Sequence, residues 1–169
     1  MMKKGLFGSL KGVFDELLGK NRFKRLDFVL LKTTLRLAAV DGVVAEDEIG
    51  RFRELAAKCR GYSGESFDTL WDDALRSAGY LLLQSHFLDH ESLVAEFVKE
   101  SEGDFVGEVI LETEEERARA FEFLNQMAMA DGECSAIERD SIDALAKRVK
   151  ELRDKAIAER YSRGAGFDA

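Results

Sequence analysis

The chain has 169 residues, 46% of them hydrophobic and 34% charged, with no proline and two cysteines. That length fits one soluble globular domain able to bury roughly 70% of its unfolded surface. Cys59 and Cys134 lack CxxC spacing, which excludes a disulfide framework and points to a reducing cytoplasm; no run of about 18 apolar residues exists to span a membrane.

The net charge of −8 is unevenly spread. Residues 1–25 carry seven Lys/Arg against Asp15 and Glu16, a balance of +5. Residues 89–116 carry eleven Asp/Glu against Lys99 alone, a balance of −10. The start, MMKKGLFGSLKGVF, has the positive opening of a secretion signal, but Lys11 and three glycines interrupt its apolar part and no cleavage site follows. A helix through it would place Leu6, Leu10, Val13, Phe14 and Leu17 on one face. Lys3, Lys4 and Lys11 fall off that face, and Lys20, Arg22, Lys24 and Arg25 follow it. This is the pattern of an interfacial helix drawn to anionic lipid through residues 3–25. Burying the five apolar side chains would contribute about 7 kcal/mol. Gly8 and Gly12 subtract about 1 kcal/mol each, so the arm needs an apolar surface, whether bilayer, partner or its own bundle. Nucleic acid is not expected, because the basic cluster is small and the whole chain repels phosphate.

Beyond the arm, apolar residues recur at helical spacing, and the absence of proline permits long helices. Phe28, Leu31, Leu35 and Leu37 to Val40 stripe a first core helix that stops at Asp41-Gly42. Ile49, Phe52, Leu55 and Ala56 stripe a second, fading at Gly61–Gly64. Phe67, Leu70, Trp71, Ala74, Leu75, Ala78, Leu81 and Leu82 form the richest face, long enough for a central helix. Asp89 can cap a short helix to about Lys99, closed by Ser101-Glu-Gly103. Phe105–Leu111 is compatible with strand or helix. Thr113 with Glu116 makes a capping box opening a helix striped by Ala120, Phe121, Leu124, Met127 and Ala128, which stops at Asp131-Gly132. Ser135 with Glu138 makes another, opening a long helix through Ile142, Leu145, Val149 and Leu152 to about Arg160. The expectation is an all-α single bundle of about seven to eight helices: a basic arm over 1–25, the helical domain over 26–160 and a flexible tail over 161–169.

Two stretches match. LAAVDGVVAEDE at 37–48 and MAMADGECSAIE at 127–138 share small and apolar residues, Asp-Gly, an apolar residue two beyond the Gly and a Glu six beyond it. The same shift places Leu31 on Phe121, Phe52 on Ile142 and Leu55 on Leu145, as in a repeated helix hairpin. At each corner the Gly suits a left-handed helix end. The apolar residue after it (Val44, Cys134) folds back, and the Glu can reach the next helix's cap. Capping explains Gly and Glu but not Asp41 and Asp131. The spacing also matches the end of a calcium-binding EF-hand loop, yet the first ligand positions fall on Leu37 and Ala39, or on Met127 and Met129, which excludes that motif. A divalent cation shared by Asp41, Glu48, Asp131 and Glu138 stays open, provided the corners meet.

The paired A-x-x-D-G-x-x-x-x-x-E corners resemble the TerB-like family, over about residues 26–152. LRLAAVDGVVAEDEI and LNQMAMADGECSAIE carry the resemblance most strongly. Members include the bacterial tellurite-resistance protein B and a domain of a membrane-anchored J-domain co-chaperone. The resemblance implies an all-helical bundle, a role in bacterial stress response without known catalysis, and acidic corner residues as metal ligands, here Asp41, Glu48, Asp131 and Glu138. The segment 61–112 departs from the pattern, and no J-domain follows.

Other signals are bland. His86 and His90 are four apart but lack a zinc protease's Glu, and a helix start at Asp89 would separate them. Cys134 reads as a small core residue, and Cys59 as half-buried near a helix end. The expected function is a non-enzymatic binding module or scaffold, with a possible divalent cation as its only cofactor and a protein partner. It would be cytoplasmic or peripheral at the inner membrane. Its alternatives are a metal-independent adaptor using the acidic face, and a metal-dependent hydrolase lacking an evident general base.

Overall fold

A computed structural model describes residues 25–43, 64–129 and 134–165, with backbone alone for residues 25, 27, 64–67, 70 and 165. The arm over 1–24, the helix expected around Ile49–Ala56, the Asp131-Gly132 corner and the last four residues lie outside them.

The described residues are helical, with no strand among them. They form α1 (Arg25–Val40), α2 (Gly64–Gln84), α3 (His90–Ser101), a π-helical turn (Glu102–Val106), the short α4 (Gly107–Val109), α5 (Glu114–Ala128) and α6 (Ala136–Ala165). The all-α expectation therefore holds over these residues. The repeated hairpin does not come fully into view, since the partner of α1 and the second corner lie outside them.

α1 occupies the centre of the bundle. Leu26 and every residue from Phe28 to Val40 except half-buried Ala38 is buried, and α1 packs against α2, α3, α5 and α6. A helix enclosed on all sides must satisfy its polar groups internally. Thr33 and Thr34 do so by donating to the carbonyls of Val29 (2.7 Å) and Leu30 (2.8 Å). α2 has the longer apolar stripe but lies at the periphery, with Asp72, Asp73, Arg76, Gly79, Tyr80 and Leu83 exposed. Arg36 meets Ser77, and Gly42 approaches Ser85, so α1 and α2 run side by side in the same direction.

The local signals decide the helix starts. Asp89 accepts from the backbone N–H of Ser92 at 2.8 Å and opens α3; Thr113 accepts from that of Glu116 at 3.2 Å and opens α5. The expected close at Ser101–Gly103 does not occur. The chain widens into the π turn and continues as helix, which also resolves Phe105–Leu111 against a strand. The widening has a geometric reason. Leu93, Phe97, Ser101, Phe105 and Val109 are all buried and spaced by four. On an α-helix that spacing drifts about 40° per step, and a wider turn takes part of the drift back. Phe105 thereby meets Phe121 of α5 edge-on, centroids 5.7 Å apart. α6 runs on to Ala165, past the expected stop near Arg160, and its residues from Asp154 to Gly164 are exposed.

Candidate functional site

Asp41 follows the last residue of α1 and is exposed. The turn is made by Gly42, whose φ of 81° is left-handed and whose N–H donates to the Ala39 carbonyl at 3.0 Å. A Cβ here would stand 3.4 Å from Ser85 Oγ of α2, so the corner is also a close approach of two chain segments. The expected left-handed helix end is thus present at the first corner.

The second corner is described from Cys134 onward. Ser135 Oγ donates to Glu138 Oε1 at 2.7 Å and accepts from the Glu138 N–H at 3.2 Å; the Ser135 N–H donates to the same Oε1 at 3.4 Å. This is a closed capping box at the start of α6. Cys134 is half-buried against the core, in line with its small apolar role. Of the four corner carboxylates, Asp41 and Glu138 are described, whereas Glu48 and Asp131 lie outside the described residues. Among the described residues no three His, Cys, Asp or Glu side chains gather as a metal-binding group. The donor set itself is chemically apt: carboxylate oxygens suit hard cations such as calcium, magnesium and manganese.

His90 pairs with a carboxylate of α6. Its Nε2 lies 2.6 Å from Asp140 Oδ2 of α6, and both side chains are about half exposed.

The structure adds a second constellation. Asp104, in the π turn, receives Arg36 in a fork, Nη1 to Oδ1 at 2.8 Å and Nη2 to Oδ2 at 2.6 Å. Lys32 Nζ stands 2.9 Å from the same Oδ2, and the Phe105 N–H donates to Oδ1. Arg36 Nε also donates to Ser77 Oγ at 2.8 Å, and Ser77 passes its own hydrogen to Glu100 Oε2 at 2.9 Å. Two cations of the central helix, only 5% and 4% exposed at the side chain, are therefore answered by carboxylates from α3 and its π turn. Burial alone would raise the Asp104 pKa, but the Arg36 hydrogen bonds and the charges of Arg36 and Lys32 outweigh it and hold the carboxyl below its ordinary value. Next to it, Glu102 accepts from Arg148 of α6, Nη2 at 2.5 Å and Nε at 3.1 Å. The acidic run is thus partly an internal fastening. Its sequence signal was the i, i+4 pair Lys32 and Arg36 within DFVLLKTTLRLAAV, where cations interrupt an apolar helix.

The sequence profile of the family described as Tellurite resistance protein TerB matches residues 29–158. That span runs from α1 through most of α6 and includes all four corner carboxylates. The chain belongs to the TerB family. No curated protein and no solved structure gives a significant match to the chain. The TerB match ends inside α6, so the last turns of that helix, from Glu159 onward, lie beyond it. No described helix is long and apolar enough to cross a membrane.

Proposed function

We propose that this TerB chain is a non-enzymatic binding module serving a bacterial stress response, which takes a divalent cation at its Asp-Gly corners. The observation that carries the reading is the exposed Asp41 carboxylate on the left-handed turn at Gly42, inside the TerB match. Asp41, Glu48, Asp131 and Glu138 would supply the hard oxygen ligands. A bound cation would contribute positive charge and a fixed bridge between corners. The chain's own part is to hold Asp41 at the end of a buried central helix and to hold Glu138 through Ser135. The basic, amphipathic residues 3–25 suit a peripheral seat on an anionic inner membrane.

Calorimetric titration with calcium, magnesium, manganese and zinc tests the cation. Binding heat is expected from at least one ion and should vanish in the Asp41→Asn, Asp131→Asn double variant. At a hundredfold the dissociation constant, that ion should add about 2.7 kcal/mol of stability. If no ion gives heat or shifts the melting temperature, the metal-independent adaptor stands instead. Exposed Glu91, Glu114 and Glu115 on the acidic stretch favour that second reading.

A further inference from the structure

Ser135 and Glu138 close a ring at the start of α6. Glu138 Oε1 accepts the Ser135 hydroxyl at 2.7 Å and the Ser135 N–H at 3.4 Å, while Ser135 Oγ accepts the Glu138 N–H at 3.2 Å. The hydroxyl hydrogen is therefore committed to the carboxylate, and both residues are half-buried. A glutamate on an open helix surface has several rotatable bonds, and ordering them opposes any binding that needs one geometry. Here the ring has done that ordering before a ligand arrives.

The ring does not exhaust the carboxylate. An ionised carboxylate has two oxygens and about four lone-pair directions, and the box takes its bonds at Oε1. A carboxylate that ligates a metal is commonly fixed by a hydrogen-bond donor of its own, and loss of such a donor costs about 10–100-fold in metal affinity. The first corner has Ala45 where the second has Ser135, so Glu48 is offered no hydroxyl at the matching place.

We infer that Ser135 is a positioning residue for the cation: its hydroxyl fixes the Glu138 carboxylate in advance, so that the ion is held more by Glu138 than by Glu48. The inference rests on the proposed cation at the Asp-Gly corners. Ser135 itself need not touch the ion. A residue that only caps α6 would behave differently, since removing it would weaken the helix start and leave the ion's affinity as it was.

The test titrates the full chain calorimetrically with calcium, magnesium, manganese and zinc chloride in turn, and measures the ion-free melting temperature alongside. Thr113→Ala is the control, because Thr113 caps α5 through the Glu116 N–H at the opposite end of that helix from the second corner. Without ion, Ser135→Ala and Thr113→Ala should both melt a few degrees below the parent. Only Ser135→Ala should bind the ion more weakly, by about 10–100-fold. Ser135→Thr keeps the hydroxyl and should bind nearly as the parent does. Glu48→Gln should cost less affinity than Glu138→Gln. An unchanged affinity in Ser135→Ala overturns the inference. A tighter one also does, since Oε1 would then be an oxygen that the cap withholds from the ion. Equal losses in Ser135→Ala and Thr113→Ala would trace the effect to general loosening, and a Ser135→Thr variant as weak as Ser135→Ala would trace it away from the hydroxyl; either overturns the inference. Equal or reversed costs at Glu48 and Glu138 overturn the ranking of the corners. If the parent binds none of these ions, the cation reading falls and the positioning role with it. If the parent binds and Ser135→Ala binds alike, the cation stays and only the positioning role falls.

Discussion

Replacing Asp104 by Asn removes one charge from the centre of the molecule while keeping the shape of the side chain. Lys32 and Arg36 would remain buried with their shared counter-ion gone, since their side chains are 5% and 4% exposed and that of Asp104 is 16% exposed. Removing one partner of a buried ion pair costs about 3–5 kcal/mol, because the remaining charge is left without compensation. For a chain of this length each kcal/mol moves the melting temperature by about 2–4 °C, so a fall of roughly 6–20 °C is expected in thermal denaturation followed by circular dichroism. Glu102→Gln supplies the contrast. Its pair with Arg148 is 38% and 36% exposed, and pairs in contact with water contribute only about 0–1 kcal/mol. A further variant, Lys32→Met with Arg36→Met and Asp104→Leu, should recover part of the loss, since it leaves no stranded cation and only the half-buried Glu100, still held by Ser77, without one. A shift under 2 °C for Asp104→Asn, or one no larger than for Glu102→Gln, would refute the reasoning. The sign with pH follows from the lowered Asp104 pKa. The stabilisation is fully present above the unfolded carboxyl value of about 3.9 and is lost as pH falls through the lower folded value. The acid limb of the stability curve should therefore flatten in Asp104→Asn.

Gly42→Ala should cost about 1–2 kcal/mol, the usual penalty for a Cβ in the left-handed region, and chemical denaturation would reveal it as a lower midpoint with an unchanged slope. Ser135→Ala should lose about 1 kcal/mol by opening the box at the start of α6. Glu138→Gln should lose less, because a glutamine can still close it; urea melts of the two variants rank them, and the opposite order would argue against the box.

What could be read along the chain was whatever is settled within a few residues. Asp89, Thr113 and Ser135 cap their helices as expected because cap and backbone N–H are three positions apart. Gly42 ends α1 as expected because a left-handed turn is a property of one residue. Lys32, Arg36 and Asp104 escaped notice because the ion pair joins residues 68 positions apart. Periodicity assigned the richest stripe to α2, yet centrality went to α1, whose charged residues Lys32 and Arg36 find partners in other helices. Gly103 was misleading for a related reason. Glycine permits a helix to stop but does not oblige it, and the neighbouring Glu102 and Asp104 had cations waiting on α6 and α1. At the candidate corners, Asp41 and Glu138 occupy the expected helix end and helix start.

The π turn makes residue number between Ser101 and Gly107 a quantity the protein cannot adjust. A loop absorbs a deletion by tightening, but this segment is wound continuously between two fixed grips, Asp104 on α1 and Glu102 on α6. Losing a single position there would turn the helical residues that follow, as far as Val109, by up to about 100°. Either the carboxylates would leave their cations, or Phe105 would swing away from Phe121. Surface loops elsewhere can vary in length, while this one helical turn has to be inherited whole.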